Sequence, residues 1–376
     1  MGKSSWGREL KLPYQDGKVT SVNEQLEVVI AVHFHPETGS KYWLKKEKEL
    51  NLHARKDITD FDDLKAHLGL KGDFLQEFED AMRFLPIRDM VPKSQHKKIL
   101  FVGETGGTTG VAKKAAFSHD YWTTFLTFCN WALDLHGIPR NADLLYIGPT
   151  GPHTIGFFAR DIVEARGGLF FTVDLDTRII KKFIGSQMSD CQQNYMQHII
   201  EQVIPLLKSQ DIGILFTTSK ILELLPQHVN VAELDIKGVI NGGTAIDPDT
   251  NKLFKEEFYL DKEGRSIPLI GMYGNAHSGA HVEHFSSENT DFNIHYYSPQ
   301  PYIVTEVVDF NSGEVVDYEE KGQVVWYRLT TEFLIPGLPE RDEATRIKPA
   351  KPFEWDGIQN VDSMRREEES VIEGVY

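Results

Sequence analysis

The sequence predicts an α/β protein with helix-covered, mostly parallel sheets and a small antiparallel β-barrel subdomain towards the C-terminal side. Three observations predict it. Short apolar runs alternate with amphipathic segments from about residue 98 to residue 273, the first of these runs leads straight into a loop rich in Gly and Thr, and after about residue 293 closely spaced strand-like segments take over.

Taken in order, residues 26–33 read as a strand. Residues 58–68 read as a short surface helix, with Thr59 and Asp60 as caps and Leu64 and Leu68 on one face. A compact apolar strand at 98–102 runs into the stretch 103–110. Over 120–135, Tyr121, Trp122, Phe125, Cys129, Ala132 and Leu133 fall on one helical face, and His136-Gly137-Ile138-Pro139 ends the helix. The alternation then continues with strands at 144–147, 169–173, 212–217, 238–241 and 269–273 and helices at 156–166, 194–207 and 219–225. Short connections between such elements imply parallel pairing. Residues 302–310, 314–317 and 323–329 read as antiparallel strands, with Asn311-Ser312-Gly313 as a turn.

The resulting organisation is an α/β core over 1–296 with two sheet subdomains, a β-barrel subdomain over 297–335, and a charged, proline-containing stretch over 336–376. That last stretch, with Arg365-Arg366-Glu367-Glu368-Glu369 near its end, reads as a hinge remnant and a solvated tail or single exposed helix.

Composition narrows the function. In 376 residues, 40 Lys+Arg against 56 Asp+Glu give a net charge of −16, which argues against a nucleic-acid partner held by counterion release. No apolar run approaches the roughly 18 residues of a membrane span, and the first ten residues carry charges without a leader-like apolar segment. Two distant cysteines, Cys129 and Cys191, supply no disulfide framework, so a reducing, cytoplasmic setting is expected.

The stretch Glu104-Thr105-Gly106-Gly107-Thr108-Thr109-Gly110-Val111-Ala112-Lys113 has what phosphate binding requires. Glycines let backbone N–H groups curl around an anion, threonines add hydroxyl donors, and Lys113 offers positive charge. It is neither a Walker A loop nor a G-x-G-x-x-G turn. A glycine-rich turn without ligand is the plain alternative.

Residues 105–113 resemble the phosphate loop of the adenylate-forming superfamily: acyl-CoA synthetases, peptide-synthetase adenylation domains and luciferases. His153-Thr154-Ile155-Gly156 is similar to its H-x-x-G segment beside the acyl pocket, Asn241-Gly242-Gly243-Thr244-Ala245 to the G-G-x segment flanking adenine, and Tyr273-Gly274-Asn275-Ala276-His277 stands where the family has Y-G-x-T-E. His35-Pro36-Glu37-Thr38-Gly39, Tyr42-Trp43 and the stretch 57–64 resemble the N-terminus of the phenylacetate-CoA ligase branch, so the resemblance spans about 32–329.

The resemblance implies ATP-dependent activation of a carboxylate as an acyl-adenylate, with the protein positioning the reactants and neutralising charge. Thr105, Gly106, Gly107, Thr108, Thr109 and Gly110 would cradle phosphates with help from Lys113, whose plain alternative is an exposed lysine at a helix start. Gly242, Gly243 and Thr244 would line adenine, Tyr273 would stack on it beside Gly274 and Asn275, and His153 would sit near the carboxylate. Lys113 and His153 are thus the candidates for catalysis. The ribose-binding carboxylate maps to Asp342, with Asp356 as runner-up.

Two departures stand out. Ala276 and His277 replace the threonine and the Mg²⁺-holding glutamate of the family motif, and a hard cation prefers oxygen to imidazole. The family's small C-terminal domain with its catalytic lysine has no counterpart within 336–376, which implies slow or partner-dependent turnover. His277, His281 and His284 share helical spacing, with Glu283 adjacent; the alternatives are a zinc-binding face and a histidine-rich loop.

The expected cofactors are ATP/AMP, with Mg²⁺ put in question by His277. The expected substrate is a small, aromatic carboxylate, as in the short adenylating proteins of phenazine antibiotic biosynthesis. A reductase, amine or thiol acceptor enzyme is the expected downstream partner, with a homodimer left open. The competing expectation is a nucleotide- or carboxylate-binding protein that keeps the fold without the chemistry.

Overall fold

A computed structural model describes residues 21–105, 111–243, 246–277, 279–284 and 292–364. Gly106, Gly107, Thr108, Thr109 and Gly110, together with Thr244 and the charged stretch 365–376, lie outside the described residues.

The N-terminal part is helical. Where residues 26–33 read as a strand, the chain forms the helix Val22–His33. Ser21 and Glu24 make a reciprocal capping box, the Ser21 hydroxyl accepting from the Glu24 amide at 3.2 Å and the Glu24 carboxylate accepting from the Ser21 amide at 2.9 Å. Leu26, Val29, Ile30 and His33 then repeat at three- and four-residue intervals and are buried, whereas Val28 within the same apolar run is half-exposed. The cap and the period decide for helix over the run's strand propensity. Phe61–Leu68 is a helix capped by Asp60, as its spacing predicts. The helix Gly72–Phe84, which follows it, brings Glu79 and Arg83 towards the glycine and threonine loop.

That loop joins an antiparallel hairpin, β1 (Ile99–Glu104) and β2 (Lys114–Ser118), in which Glu104 pairs with Lys114. The chain therefore continues into a strand after Lys113, so the alternative of a lysine at a helix start does not hold. The helix His119–Leu135 follows, capped by Ser118.

The large sheet has eleven strands. Its parallel half contains β3 (Asp143–Gly148), β4 (Phe170–Asp174), β5 (Ile212–Thr217), β6 (Gly238–Gly242) and β7 (Leu269–Asn275), in the order β4-β3-β5-β6-β7. These strands match the predicted alternation closely, because each is an apolar run covered by helices on the way to the next. The helices Thr154–Ala165 and His119–Leu135 pack on each other, the first also against β3 and β4.

Beyond β7 the pairing turns antiparallel. β8 (Gly279–Glu283) and β9 (Tyr296–Tyr297) come next, and β10 (Ile303–Val308), β11 (Lys321–Leu329), β12 (Leu334–Ile347) and β13 (Gly357–Ser363) extend the same sheet in the order β10-β11-β12-β13-β9-β8-β7.

Three readings change here. The C-terminal strands continue the main sheet and, among the described residues, do not close a barrel. Residues 314–317 make only an isolated bridge, Val308 to Val315, instead of a strand. The stretch read as hinge remnant and tail holds most of β12 and all of β13, in which Leu338, Ala344, Ile347 and Ile358 are buried. Among the described residues no helix is long and apolar enough to cross a membrane.

Candidate functional site

Several of the predicted residues fall at the C-terminal ends of the parallel strands, where an open α/β sheet presents a crevice. β6 ends at Gly242, which pairs with Met272 of β7, so the Gly242-Gly243 turn lies beside Tyr273. Gly243 has φ +88°, a left-handed conformation that a side chain would strain. Following β3, His153 precedes the helix Thr154–Ala165, and its backbone bridges to Glu104 at the end of β1. Gly103 permits that approach, since a Cβ there would stand 2.1 Å from the Thr154 hydroxyl.

Tyr273 donates its hydroxyl proton to Asp342 at 2.8 Å. Its ring is half-buried against Trp326, His281 and Tyr296, with centroids 5.6, 5.6 and 6.0 Å away. β7 and β12 are separated by three strands in the sheet order, a flat-sheet distance of about 19 Å at the usual strand spacing. A tyrosine hydroxyl cannot span that, so the antiparallel half curls back over β7 and delivers Asp342 to the crevice.

Asn275, two residues beyond Tyr273, donates to Glu340 at 2.5 Å and accepts from the His277 amide at 2.9 Å. Burial pushes the Glu340 carboxyl up to about 7, with Lys113 opposing and Asp342 adding to the rise. Asp342 is also raised by burial, the Tyr273 hydrogen bond working against it. Asp356, the runner-up for ribose, instead accepts from Arg346 at 2.7 Å and from Tyr318 at 3.0 Å and serves the strand scaffold.

Thr105 and Lys113 close the base of the loop, with the Thr105 amide donating to the Lys113 carbonyl and the Lys113 amide to the Thr105 hydroxyl, both at 3.0 Å. The Lys113 ammonium is paired with Glu79 at 2.9 Å, and Glu79 also binds Arg83 at 2.7 Å. His153 is buried, and burial followed by the charge of Arg178 lowers its pKa, so it is a neutral imidazole at neutral pH.

The motif position expected to hold Mg²⁺ does not fit that ion. Ala276 has no hydroxyl, and His277 is 2% exposed with neither ring nitrogen hydrogen-bonded among the described residues. Burial first, then Lys113, Arg328 and Arg83, hold its pKa far below the usual histidine range. A neutral imidazole among cations is a poor ligand for a hard divalent ion.

The histidines do not share a helix either. His281 lies within strand β8 and shares a 2.6 Å hydrogen bond with the Thr305 hydroxyl, whereas His284 packs edge-on against Phe353 and Tyr297. This excludes the helical face: only His281 lies in a strand, while His277 is in a turn and His284 just past the end of β8. Among the described residues no group of three or more His, Cys, Asp or Glu side chains is arranged to hold a metal.

Sequence reasoning missed Glu340, Glu79, Arg178 and Lys181. Glu340 sat in a stretch read as tail, although its i, i+2 spacing with Asp342 in the run 334–342 was a usable strand signal. Arg178 and Lys181 lie on the helix Thr177–Gly185, too short to stand out by period.

Fold and crevice together define a helix-covered parallel sheet with a curled antiparallel extension. Solved structures of 2-hydroxyisobutyryl-CoA ligase share it. The open conformation in complex with 2-HIB-AMP and CoA aligns with a TM-score of 0.63 at 14% identity, over 87% of this chain and 70% of that one. The postadenylation state with 2-HIB-AMP aligns with a TM-score of 0.63 at 14% identity, over 87% and 63%. The thioesterification state with 2-HIB-AMP and CoA gives 0.61 at 15% identity, again over 87% and 63%. This chain thus spans about two thirds of the ligase's length. Identity this low establishes the fold and leaves the chemistry to be argued from the site. No family model matches the chain, and no curated protein matches its sequence.

Proposed function

We propose that the protein binds ATP in this crevice and activates a small carboxylate as its acyl-adenylate. The observation that carries the reading is the Tyr273–Asp342 hydrogen bond. It joins the aromatic ring expected to face adenine to the carboxylate expected to take the ribose hydroxyls, 69 residues apart in sequence, beside the Gly242-Gly243 turn. Thr105 and Lys113 anchor the phosphate-loop segment, Gly106 to Gly110 and Thr244 complete the nucleotide contacts, and neutral His153 faces the carboxylate.

Within this reading the substrate is an aromatic acid, of the kind used in phenazine antibiotic biosynthesis, and the branch is that of the phenylacetate-CoA ligases. The acyl group passes to a reductase, amine or thiol acceptor in the cytoplasm. Exchange of labelled pyrophosphate into ATP over a panel of aryl and alkyl acids tests it. Stimulation by one acid class, reduced about tenfold or more by Asp342→Asn, is the expected result. ATP binding that is absent, or indifferent to Asp342→Asn, would overturn it.

A second reading draws support from Ala276 and His277, which do not fit Mg²⁺. Under it the chain binds nucleotide or carboxylate without turnover, and nucleotide binding with no exchange for any acid is its signature.

A further inference from the structure

The helix Gly72–Phe84 buries Phe78, Ala81 and Met82 in the core and packs against β2. Glu79 and Arg83, one turn apart on this helix, pair at 2.7 Å, and the second Glu79 oxygen accepts from the Lys113 ammonium at 2.9 Å. The next residue of the chain, Lys114, donates its ammonium to the Arg83 carbonyl at 2.9 Å. One rigid, core-packed helix therefore holds the side chains of both residues that lead from the glycine and threonine loop into β2.

Lys113 is fixed at both ends. Its backbone exchanges hydrogen bonds with Thr105 on the other side of the loop, and its ammonium is set by Glu79. The Lys113 and Glu79 side chains are 20% and 21% exposed, so this pair is shielded in a way that the surface pair Lys98 and Asp120, 51% exposed on both sides and 3.5 Å apart, is not. Burial works to raise the Glu79 carboxyl, but Lys113 and Arg83 outweigh it and keep the group below the usual carboxylate range, ionised at neutral pH. An ammonium has three donors, and among the described residues Glu79 takes one of them. A lysine arm loses much rotamer freedom when it is held in one place, and an arm already held has lost it before any anion binds.

We propose that Glu79 is a positioning residue that holds the Lys113 ammonium ready for the phosphates of a nucleoside triphosphate. This rests on the nucleotide reading above and adds to it a residue that no part of the phosphate-loop resemblance supplies. By charge alone, a carboxylate beside a polyphosphate repels it, so neutralising Glu79 would strengthen binding. Positioning predicts the opposite sign.

Calorimetric titration of ATP and adenosine into the full chain tests it, using wild type, Glu79→Gln, Lys113→Met and the double variant. Arg83 keeps Asp80 at 3.1 Å when Glu79 is neutralised, so the change falls on Lys113. Glu79→Gln is expected to weaken ATP about fivefold and Lys113→Met about tenfold, with adenosine held within about twofold. In the Lys113→Met background, Glu79→Gln is expected to change ATP affinity by less than about twofold, because a residue that acts through another has no effect once that one is gone. Retained adenosine binding reports that the variants fold. Glu79→Asp, which keeps the charge but withdraws it by one methylene, is expected to weaken ATP about threefold, and it decides the matter should Glu79→Gln fail to fold. ATP affinity that is unchanged or higher in Glu79→Gln, unchanged in Lys113→Met, or lowered equally by Glu79→Gln with and without Lys113 would overturn the positioning role and leave the nucleotide reading standing. A wild type that binds neither compound would overturn the nucleotide reading and the positioning role with it.

Discussion

Arg328 and Lys181 are both buried cations, one on a strand of the scaffold and one on a short helix beyond β4. Arg328 is fully enclosed, donates to Glu332 at 2.5 Å, to the Ala116 carbonyl at 2.7 Å, to the Thr330 hydroxyl at 3.1 Å and to the His277 carbonyl, and lies over the rings of Phe117 and Tyr121. It ties β11 to β2 and to the residues just past β7. Burial, with Arg341 and Arg178 adding to it, lowers the Lys181 amine to about 8. A buried charge with carboxylate and carbonyl partners holds a fold together, whereas one whose charged form burial penalises costs stability.

The largest effect should come from the scaffold side. Arg328→Met leaves Glu332 buried without its partner and should cost about 3–5 kcal/mol in chemical denaturation, with Arg328→Met/Glu332→Leu recovering much of it. A loss under about 1 kcal/mol would show that Arg328 is not a structural hub.

Next comes acid. His33, whose Nε2 lies 3.0 Å from the Thr330 carbonyl, and His281 are fully buried, and burial lowers both pKa values to about 3. Between there and the ordinary 6.5, the unfolded chain binds more protons than the folded one. Their contribution is therefore present above pH 6.5 and fades as pH falls, by about 2–3 kcal/mol per histidine by about pH 4.5. Denaturation midpoints over this range should show the slope, and His281→Gln should flatten it.

For Lys181 the sign reverses. Lys181→Met should raise stability at neutral pH by about 1–2 kcal/mol, because the folded pKa of about 8 lies below the lysine value of 10.5 and protonation is penalised in the folded state. A destabilised Lys181→Met would place Lys181 with Arg328 as a structural cation.

The smallest effect belongs to Glu340. Its carboxyl is raised to about 7, so the folded state holds a proton that the unfolded chain releases near 4.5, and stability falls as pH rises through that window. Glu340→Gln should remove this slope and gain about 1 kcal/mol near pH 8, allowing for screening of a half-buried group. An unchanged melting profile would show that Glu340 is not held protonated by burial and its neighbours.

Much of the parallel half was legible because its strands are apolar on both faces and so appear as continuous runs between helices, as in residues 212–217, where prediction and β5 coincide. The antiparallel half was less legible. β12 is long, mixed in polarity and broken by register shifts opposite β11, so Glu340 and Asp342 resembled a charged tail. The histidines at 277, 281 and 284 fit a helical period, yet β8 pairs antiparallel with β7, and cross-strand pairing overrode the spacing.

By itself the sequence determined the strand–helix alternation and the glycine and threonine loop behind an apolar strand, since each depends on local pattern or near-neighbour chemistry. Only the tertiary structure decided that Asp342 meets Tyr273 and that His277 is buried beside Arg328. Those placements depend on how far the antiparallel strands curl over β7, and curl is set by twist and packing summed over the whole sheet.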